Sequence, residues 1–304
     1  MRKLSALAFL AAVTSLTAVR AGETQSYSDT TSVASSHGET ALDLFRLDTS
    51  YVFESRLDNR FGLASDQGAF HSSIEYSHRF LLTGRFYFRA GIGYDRFDFG
   101  GTQAPVPVHL QAMSALLGLE YMVGNDVGAF LYLRPGYYTE DHIGSSSFDV
   151  PVTAGRVFVL QPDKLYFVLG ATGAGLRGEF PILPFAGLIW KPSEQWNFQL
   201  VPPEPRVTYS PNKKLDLYAA AELVGASFRT DRDANILPRK LSNAQVDYTE
   251  YRAGVGLQYH CGPRTSFSVS GGYAFQRRFN FDRANVDFTA DPAPYVRAAF
   301  RAEF

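Results

Sequence analysis

The chain has a single cysteine, Cys261, so no disulfide can form within it. Neither sign of charge dominates, since 29 Lys and Arg stand interspersed with 30 Asp and Glu, and that balance does not suggest a nucleic-acid partner. Past the first 21 residues there is no apolar run of the ~20 residues that a membrane-spanning helix needs. The six histidines, at 37, 71, 78, 109, 142 and 260, are scattered, and no H-x-x-x-H or cysteine pair marks a metal site. No cofactor is therefore expected. Aromatics and glycine, by contrast, are plentiful, with 25 Phe, 17 Tyr and 26 Gly under a mean hydropathy slightly below zero. Soluble β proteins and membrane barrels both fit that composition.

The ends are specific. Arg2 and Lys3 precede the uncharged stretch LSALAFLAAVTSLTA, followed by Val19-Arg20-Ala21, whose small first and third residues suit signal peptidase. Residues 1–21 are expected to be a cleaved secretory signal. Residues 22–38, GETQSYSDTTSVASSHG, are Ser/Thr-rich without a period and read as a flexible leader. From 39 to 304 the chain reads as one domain.

Alternation with a period of two runs through that domain. In RFYFRAGIGYD, Phe86, Phe88, Ala90, Ile92 and Tyr94 share a face, opposite Arg89, Gly91, Gly93 and Asp95. The split recurs in YTEYRAGVGLQYH around Val255 and Leu257, in KLDLYAAAELVG around Leu217 and Ala221, and in TSFSVSGGYAFQR around Val269 and Tyr273. Such stretches have the ~9 to 11 residues that cross a bilayer obliquely, whereas soluble strands average about 5 to 6. Aromatics such as Phe80, Tyr121, Tyr259 and Phe281 gather at strand ends, as in interfacial girdles.

Connections alternate as well. Short turns at 82–84, 124–128, 161–164, 191–194, 210–214 and 261–264 are interleaved with longer stretches at 55–67, 100–109, 140–150, 174–182, 230–244 and 282–292. Short turns on one side and long loops on the other is the membrane-barrel arrangement. The prolines of VPPEPR, 201–206, cannot sit in an uninterrupted central strand, so residues 195–201 are expected to go up and 206–210 down around a tight loop, which keeps the strand count even. The final stretch, YVRAAFRAEF, is one more alternating strand ending in Phe304; with Phe300 it resembles the C-terminal signal read by the outer-membrane assembly machinery.

The segment PFAGLIWKPSEQWNFQLVPPEPRVTYSPNKKLDLY, 184–218, resembles a family of predicted bacterial outer-membrane β-barrels known only as a domain of unknown function. The residues that carry the likeness are Gly187, Trp190, Pro192, Trp196, Leu200, Pro203, Pro205, Arg206, Tyr209 and Pro211. The resemblance implies location and fold and names no substrate.

The expected fold is therefore all-β: one transmembrane, antiparallel, up-and-down barrel of about 14 strands, with 12 as the alternative, in the outer membrane of a Gram-negative bacterium. Alternation turns Arg46, Asp48, Glu75, Arg79, Arg85 and Arg89 inward, then Asp95, Glu120, Arg134, Asp216 and Glu222, and finally Glu250, Arg252, Arg297, Arg301 and Glu303. A lumen of mixed charge points to passive diffusion of small polar solutes. The alternative is a non-conducting structural or surface-interaction barrel, because a small barrel is readily filled by its own side chains. A third reading is a hydrolase at the rim, built on Glu140, Asp141, His142 and Ser145 to Ser147, but catalysis needs these groups held within hydrogen-bond reach of one another. GAGLRG, 173–178, matches a dinucleotide fingerprint, yet Pro181 and Pro184 stand where its helix should follow. The partners expected are outer-membrane lipid, the assembly machinery and small polar solutes.

Overall fold

A computed structural model describes residues 42–304 apart from 60–63, 125, 179 and 234. The predicted signal and leader, 1–21 and 22–38, lie outside the described residues. The chain opens with long strands, β1 (Asp43–Asn59), β2 (Ala64–Thr83), β3 (Phe86–Phe99) and β4 (His109–Val123). Shorter segments follow: β5 (Asp126–Leu133), β6 (Gly136–Thr139), β7 (Phe148–Asp149), β8 (Val152–Gln161), β9 (Leu165–Gly173), β10 (Ile182–Trp190), β11 (Trp196–Leu200) and β12 (Arg206–Asn212). The last are again long: β13 (Leu215–Arg229), β14 (Gln245–Gly262), β15 (Thr265–Phe281), and β16 (Val286–Ala290) with β17 (Ala293–Glu303).

Three pairs of segments are single staves interrupted at a proline, which has no N–H for the ladder. Pro135 separates β5 from β6, Pro151 separates β7 from β8, and Pro292 separates β16 from β17. At the first two breaks the proline carbonyl still accepts, from Ala115 N at 2.9 Å and from Arg134 N at 2.9 Å. Counted as staves, the sheet has 14 and is antiparallel between chain neighbours. It closes where β1 pairs with β17 from Leu44 opposite Glu303 to Val52 opposite Tyr295. Phe304 completes the seam by exchanging hydrogen bonds with Asp43, at 2.8 and 3.1 Å.

Closure makes parity into geometry. On β3 the apolar set Phe86, Phe88, Ala90, Ile92 and Tyr94 faces out, and Ile92 is 68 % exposed; on β14 Val255 is 66 % exposed. An apolar belt so exposed is stable against acyl chains, not water. Near the short turns the belt is bounded by rings in contact: Trp190, Phe198, Trp196 and Tyr209 form a ladder with centroids 4.9 to 5.9 Å apart.

The VPPEPR connection is the expected hairpin. β11 has 5 residues and β12 has 7, against 15 in β13, so their connection stops partway up the wall. Ala221 N and Leu223 N on β13 donate to the carbonyls of Pro205 and Pro203, each at 3.0 Å, so the prolines serve as acceptors where they cannot donate. Gly187 is needed beside them, because a Cβ there would stand 2.7 Å from the backbone of Val201.

Beyond this hairpin β13 runs past the end of β12, still paired with β14 up to Arg229 opposite Gln245. Gly225, with φ of 143°, lies in that stretch, where any Cβ would strike the carbonyl of Tyr248 at 2.0 Å. The far end of β13 then pairs with β6 in parallel, Arg229 opposite Thr139, and Glu140 N donates to Arg229 O at 3.1 Å. This contact bridges past the five staves β7/β8, β9, β10, β11 and β12 that stand between β6 and β13 in the wall. Two expected long loops are overturned here. Strands occupy 55–59 and 64–67, and 282–292 holds a tight turn followed by β16. In both, alternation continues in polar residues that resemble loop composition.

Replacing Val255 with Arg is expected to lower the stability of the folded barrel by ~2 to 4 kcal/mol in urea titrations in lipid vesicles, with the wild-type spectrum retained. A neutral result would contradict a lipid-facing position for this residue.

Candidate functional site

Inside the barrel, charged side chains from facing walls meet. Arg297 on β17 lies among three carboxylates: its Nε donates to Asp48 Oδ2 at 2.8 Å, and its Nη1 stands 3.4 Å from Glu204 Oε1 and 3.2 Å from Glu222 Oε1. Arg252 on β14 donates to Glu250 Oε1 at 2.5 Å and reaches Ser50 Oγ on β1 at 2.8 Å, although β15 and β17 intervene in the wall. Tyr248 Oη donates to the other oxygen of Glu250 at 2.8 Å. A second cluster lies against β2 to β5. There Glu120 accepts from Arg79, from Arg89 Nε at 3.0 Å and from Tyr132 Oη at 2.8 Å. Next to it Arg134 donates to Glu75 Oε2 at 2.5 Å, and Arg46 stands 4.0 Å from Oε1 of the same carboxylate.

Along β17, β13 and β14 the interior side chains become more enclosed away from the short turns. Side-chain exposure is 27 % for Arg301 and Glu303 at the short-turn end, 17 % for Arg297, 10 % for Glu222, 2 % for Arg252 and 0 % for Glu250.

Beyond them stands an aromatic plug. Phe97 on β3 stacks on His71 at 4.3 Å and meets Phe228 on β13 at 6.1 Å and Tyr248 on β14 at 5.1 Å. Phe99 meets Tyr248 at 4.9 Å and Phe279 on β15 at 4.8 Å. Rings from opposite walls are thus in direct contact, and each such pair contributes ~0.5 to 1.5 kcal/mol beyond the area it buries. The connections at the long-loop end fold in over them, with Leu241 from 230–244 and Val106 from 100–108 buried in the same cluster.

At that rim, His142 and Asp231 join the loop after β6 to the loop after β13. His142 Nδ1 is 2.5 Å from Asp231 Oδ2, and the backbone N–H of His142 donates to Asp231 Oδ1 at 3.0 Å. Glu140 accepts from Asp231 N at 2.9 Å, and His109 Nε2 is 2.6 Å from Asp141 Oδ1. The hydrogen bond to Asp231 raises the His142 pKa, helped by the charges of Asp231, Asp141 and Glu140. Burial raises the Asp231 carboxyl, but the His142 ring and the N–H groups of His142 and Asp141 outweigh it and hold the group below its ordinary value. Burial also raises Glu140. Ser147 donates to Gly144 O at 2.8 Å, and among the described residues the His142 ring pairs with Asp231 and not with a hydroxyl, as a nucleophile would require.

Most of the charges read as inward lie in these interior clusters. Asp95 stands 3.7 Å from His71 and 4.0 Å from Arg134; Asp216 accepts from Ser210 Oγ at 2.6 Å and lies 2.8 Å from His260; Arg301 pairs with Glu303. Arg85 does not belong with them: it is exposed in the turn between β2 and β3, one residue past the inward alternation. Phe300 faces out against Phe45 at 6.2 Å, and Phe304 is exposed at the seam. Sequence reading missed Glu204, Arg206 and Arg277. Arg206 covers the Tyr218 ring at 3.5 Å and donates to Gln258 at 2.9 Å; it is the first residue of the expected descending strand, where alternation has no earlier step to fix its face. Arg277 is buried, donating to Gln67 O at 2.6 Å, because a bulge at Phe275 resets the parity of β15; Phe275 and Gln276 are both exposed, which is the trace a bulge leaves. The GAGLRG stretch ends β9 and forms a loop whose Gly175 and Leu176 N–H groups donate to Asp149 at 2.9 and 3.0 Å. Among the described residues no three His, Cys, Asp or Glu side chains gather as metal ligands.

Two outcomes are expected. Arg297→Ala leaves three carboxylates facing one another and lowers stability by ~3 to 5 kcal/mol in vesicle unfolding, and adding Glu222→Gln recovers part of the loss. For the rim, a histidine pKa raised by folding contributes stability that is complete below about pH 6.5 and is lost as pH rises through the raised value. Protection of the amides across 140–147, taken relative to their intrinsic exchange rates, should therefore fall as pH rises above about 6.5 in the wild type and show no such fall in Asp231→Asn.

No curated protein sequence matches the chain. Among solved structures it is similar to the COG4313 outer membrane channel from Pseudomonas putida F1, with 13 % identity, 88 % of this chain and 97 % of that chain covered, and a TM-score of 0.46. It is also similar to the Pseudomonas putida toluene transporter TodX, at 9 % identity over 93 % and 95 % of the two chains with a TM-score of 0.38. The translocator domain of the autotransporter NalP from Neisseria meningitidis gives 10 % identity over 90 % and 93 %, with a TM-score of 0.40. Likeness at this level carries no argument about solute or activity. Residues 125–303, more than half of the sequence and including the VPPEPR hairpin and the closing strand, match a domain of unknown function, DUF6268, and the chain belongs to that family of β-barrels.

Proposed function

We propose that the protein is an outer-membrane channel for small polar solutes that rests closed, with its short turns and charged interior towards the periplasm and its aromatic plug towards the exterior. The observation that carries this reading is the contrast between the two halves of the lumen. The outer half is filled with apolar rings. The inner half is filled with enclosed ion pairs, although apolar residues of similar volume are often neutral or more stable by ~1 to 4 kcal/mol in such positions. Charges kept where apolar side chains would often serve as well suit a path for hydrated solutes, and the opposed Arg and carboxylate walls set a field across it.

A second reading, a non-conducting structural barrel, is favoured by the ring contacts between opposite walls at Phe97, Phe228 and Tyr248. Conductance separates the two. In planar bilayers the wild type is expected to give only rare, brief openings, and the triple variant Phe97→Ala, Phe228→Ala, Tyr248→Ala sustained stepwise conductance. A correctly folded triple variant that stays silent would leave the structural barrel as the better account, and a wild type that conducts steadily would remove the resting plug.

A further inference from the structure

The outer wall has a hollow of about 770 Å³ where β12, β13, β14, β15 and β17 present their apolar faces to the membrane. Its depth comes from a row in which register aligns Val207, Ala219, Val255, Gly271 and Val296 across five strands, with the smallest residues, Ala219 and Gly271, over the floor. One row nearer the short turns the side chains are tall. Tyr209 and Leu217 stand there beside Trp196, whose ring lies 4.9 Å from that of Tyr209. The volume is within the ~300 to 1,000 Å³ of ligand cavities, and the lining is almost wholly apolar.

Directly below the hollow the wall ends in basic turns. Lys213 and Lys214 connect β12 to β13 and are exposed; Arg264 lies in the turn between β14 and β15 and is also exposed. Leu217 is three residues from Lys214, about 10 Å at the rise of a strand. The carboxylates closest in sequence to Lys213 and Lys214 are turned to the inside. Asp216 points into the lumen, engaged with Ser210 and His260, and Glu303 pairs with Arg301 there. An apolar trough opening onto acyl chains, with positive charge at the depth of the headgroups, is complementary to a single amphiphile.

We propose that the hollow binds one phospholipid with an anionic headgroup, taken from the leaflet on the short-turn side, with an acyl chain over Ala219 and Gly271 and the phosphate at Lys213 and Lys214. The alternative occupant, a second copy of this chain, fits less well. A two-fold contact through the hollow would bring both lysine turns to one edge, where like charges repel. The inference is independent of whether the lumen conducts.

The test is native mass spectrometry of the full barrel released from detergent containing phosphatidylglycerol or phosphatidylcholine with identical acyl chains. The wild type should retain one phosphatidylglycerol in preference to phosphatidylcholine. The double variant Lys213→Glu, Lys214→Glu should lose that preference by about tenfold or more, given roughly one kilocalorie per mole per basic residue at a charged membrane surface. Ala219→Phe, whose side chain points into lipid and leaves the interior untouched, should abolish retention with the melting temperature unchanged. Equal retention of the two lipids by the wild type overturns the proposal. So does retention that survives Ala219→Phe, which would mean attraction to the turn alone, or that survives the lysine variant, which would mean an apolar contact alone. A dimer mass abolished by Ala219→Phe would assign the hollow to self-association instead.

Discussion

Every backbone N–H and C=O in this wall must find a partner within the sheet, because the surrounding acyl chains offer none. Pairing β1 with β17 meets that requirement, and the remaining features depend on it. Once the sheet has no edge, each residue faces either lipid or lumen, and a period of two in the sequence becomes a radial sorting of apolar from charged side chains. Where proline removes a donor, at positions 135, 151 and 292, the break is confined to one or two residues and the ladder resumes on the same neighbours. Within the VPPEPR hairpin the carbonyls of Pro203 and Pro205 continue the pairing of β13 after β12 has ended.

The filled interior is a compromise between two ways of packing a tube. At the long-loop end β13 outruns β12, keeps β14 as its neighbour and meets β6, and rings from opposite walls touch there. At the other end the full set of staves keeps the walls further apart, and long arginine side chains span the distance by pairing with carboxylates from several strands. Arg297 joins β17 to β1, to β13 and to the hairpin connection at once. The charges are therefore cross-braces as well as lumen surface, and removing one partner strands the others.

Strands such as β3 and β14 were legible because each has one lipid face and one lumen face along most of its length, so burial and polarity change together at every step. The even stave count was legible from the rhythm of short turns. What local pattern could not carry was anything set by a partner strand. The bulge at Phe275 is defined by pairing with β14, and only that register shows Arg277 turning inward. The loops expected at 55–67 and 282–292 were overestimated because strands that rise past the apolar belt lose their greasy face and take on the composition of loops. Arg85 was placed one step too far into the alternation, where the chain is already turning. The meeting of β13 with β6 is a contact across about ninety residues of chain, which composition does not encode.

That meeting of β13 with β6 does not isolate the sealed end from the staves it bypasses. Leu176, from the connection between β9 and β10, is buried in the same cluster as the plug rings, and Gly178 N donates to Asp247 on β14 at 3.4 Å. Resizing a hairpin on that side of the barrel would therefore alter the packing of the seal as well as the girth of the wall.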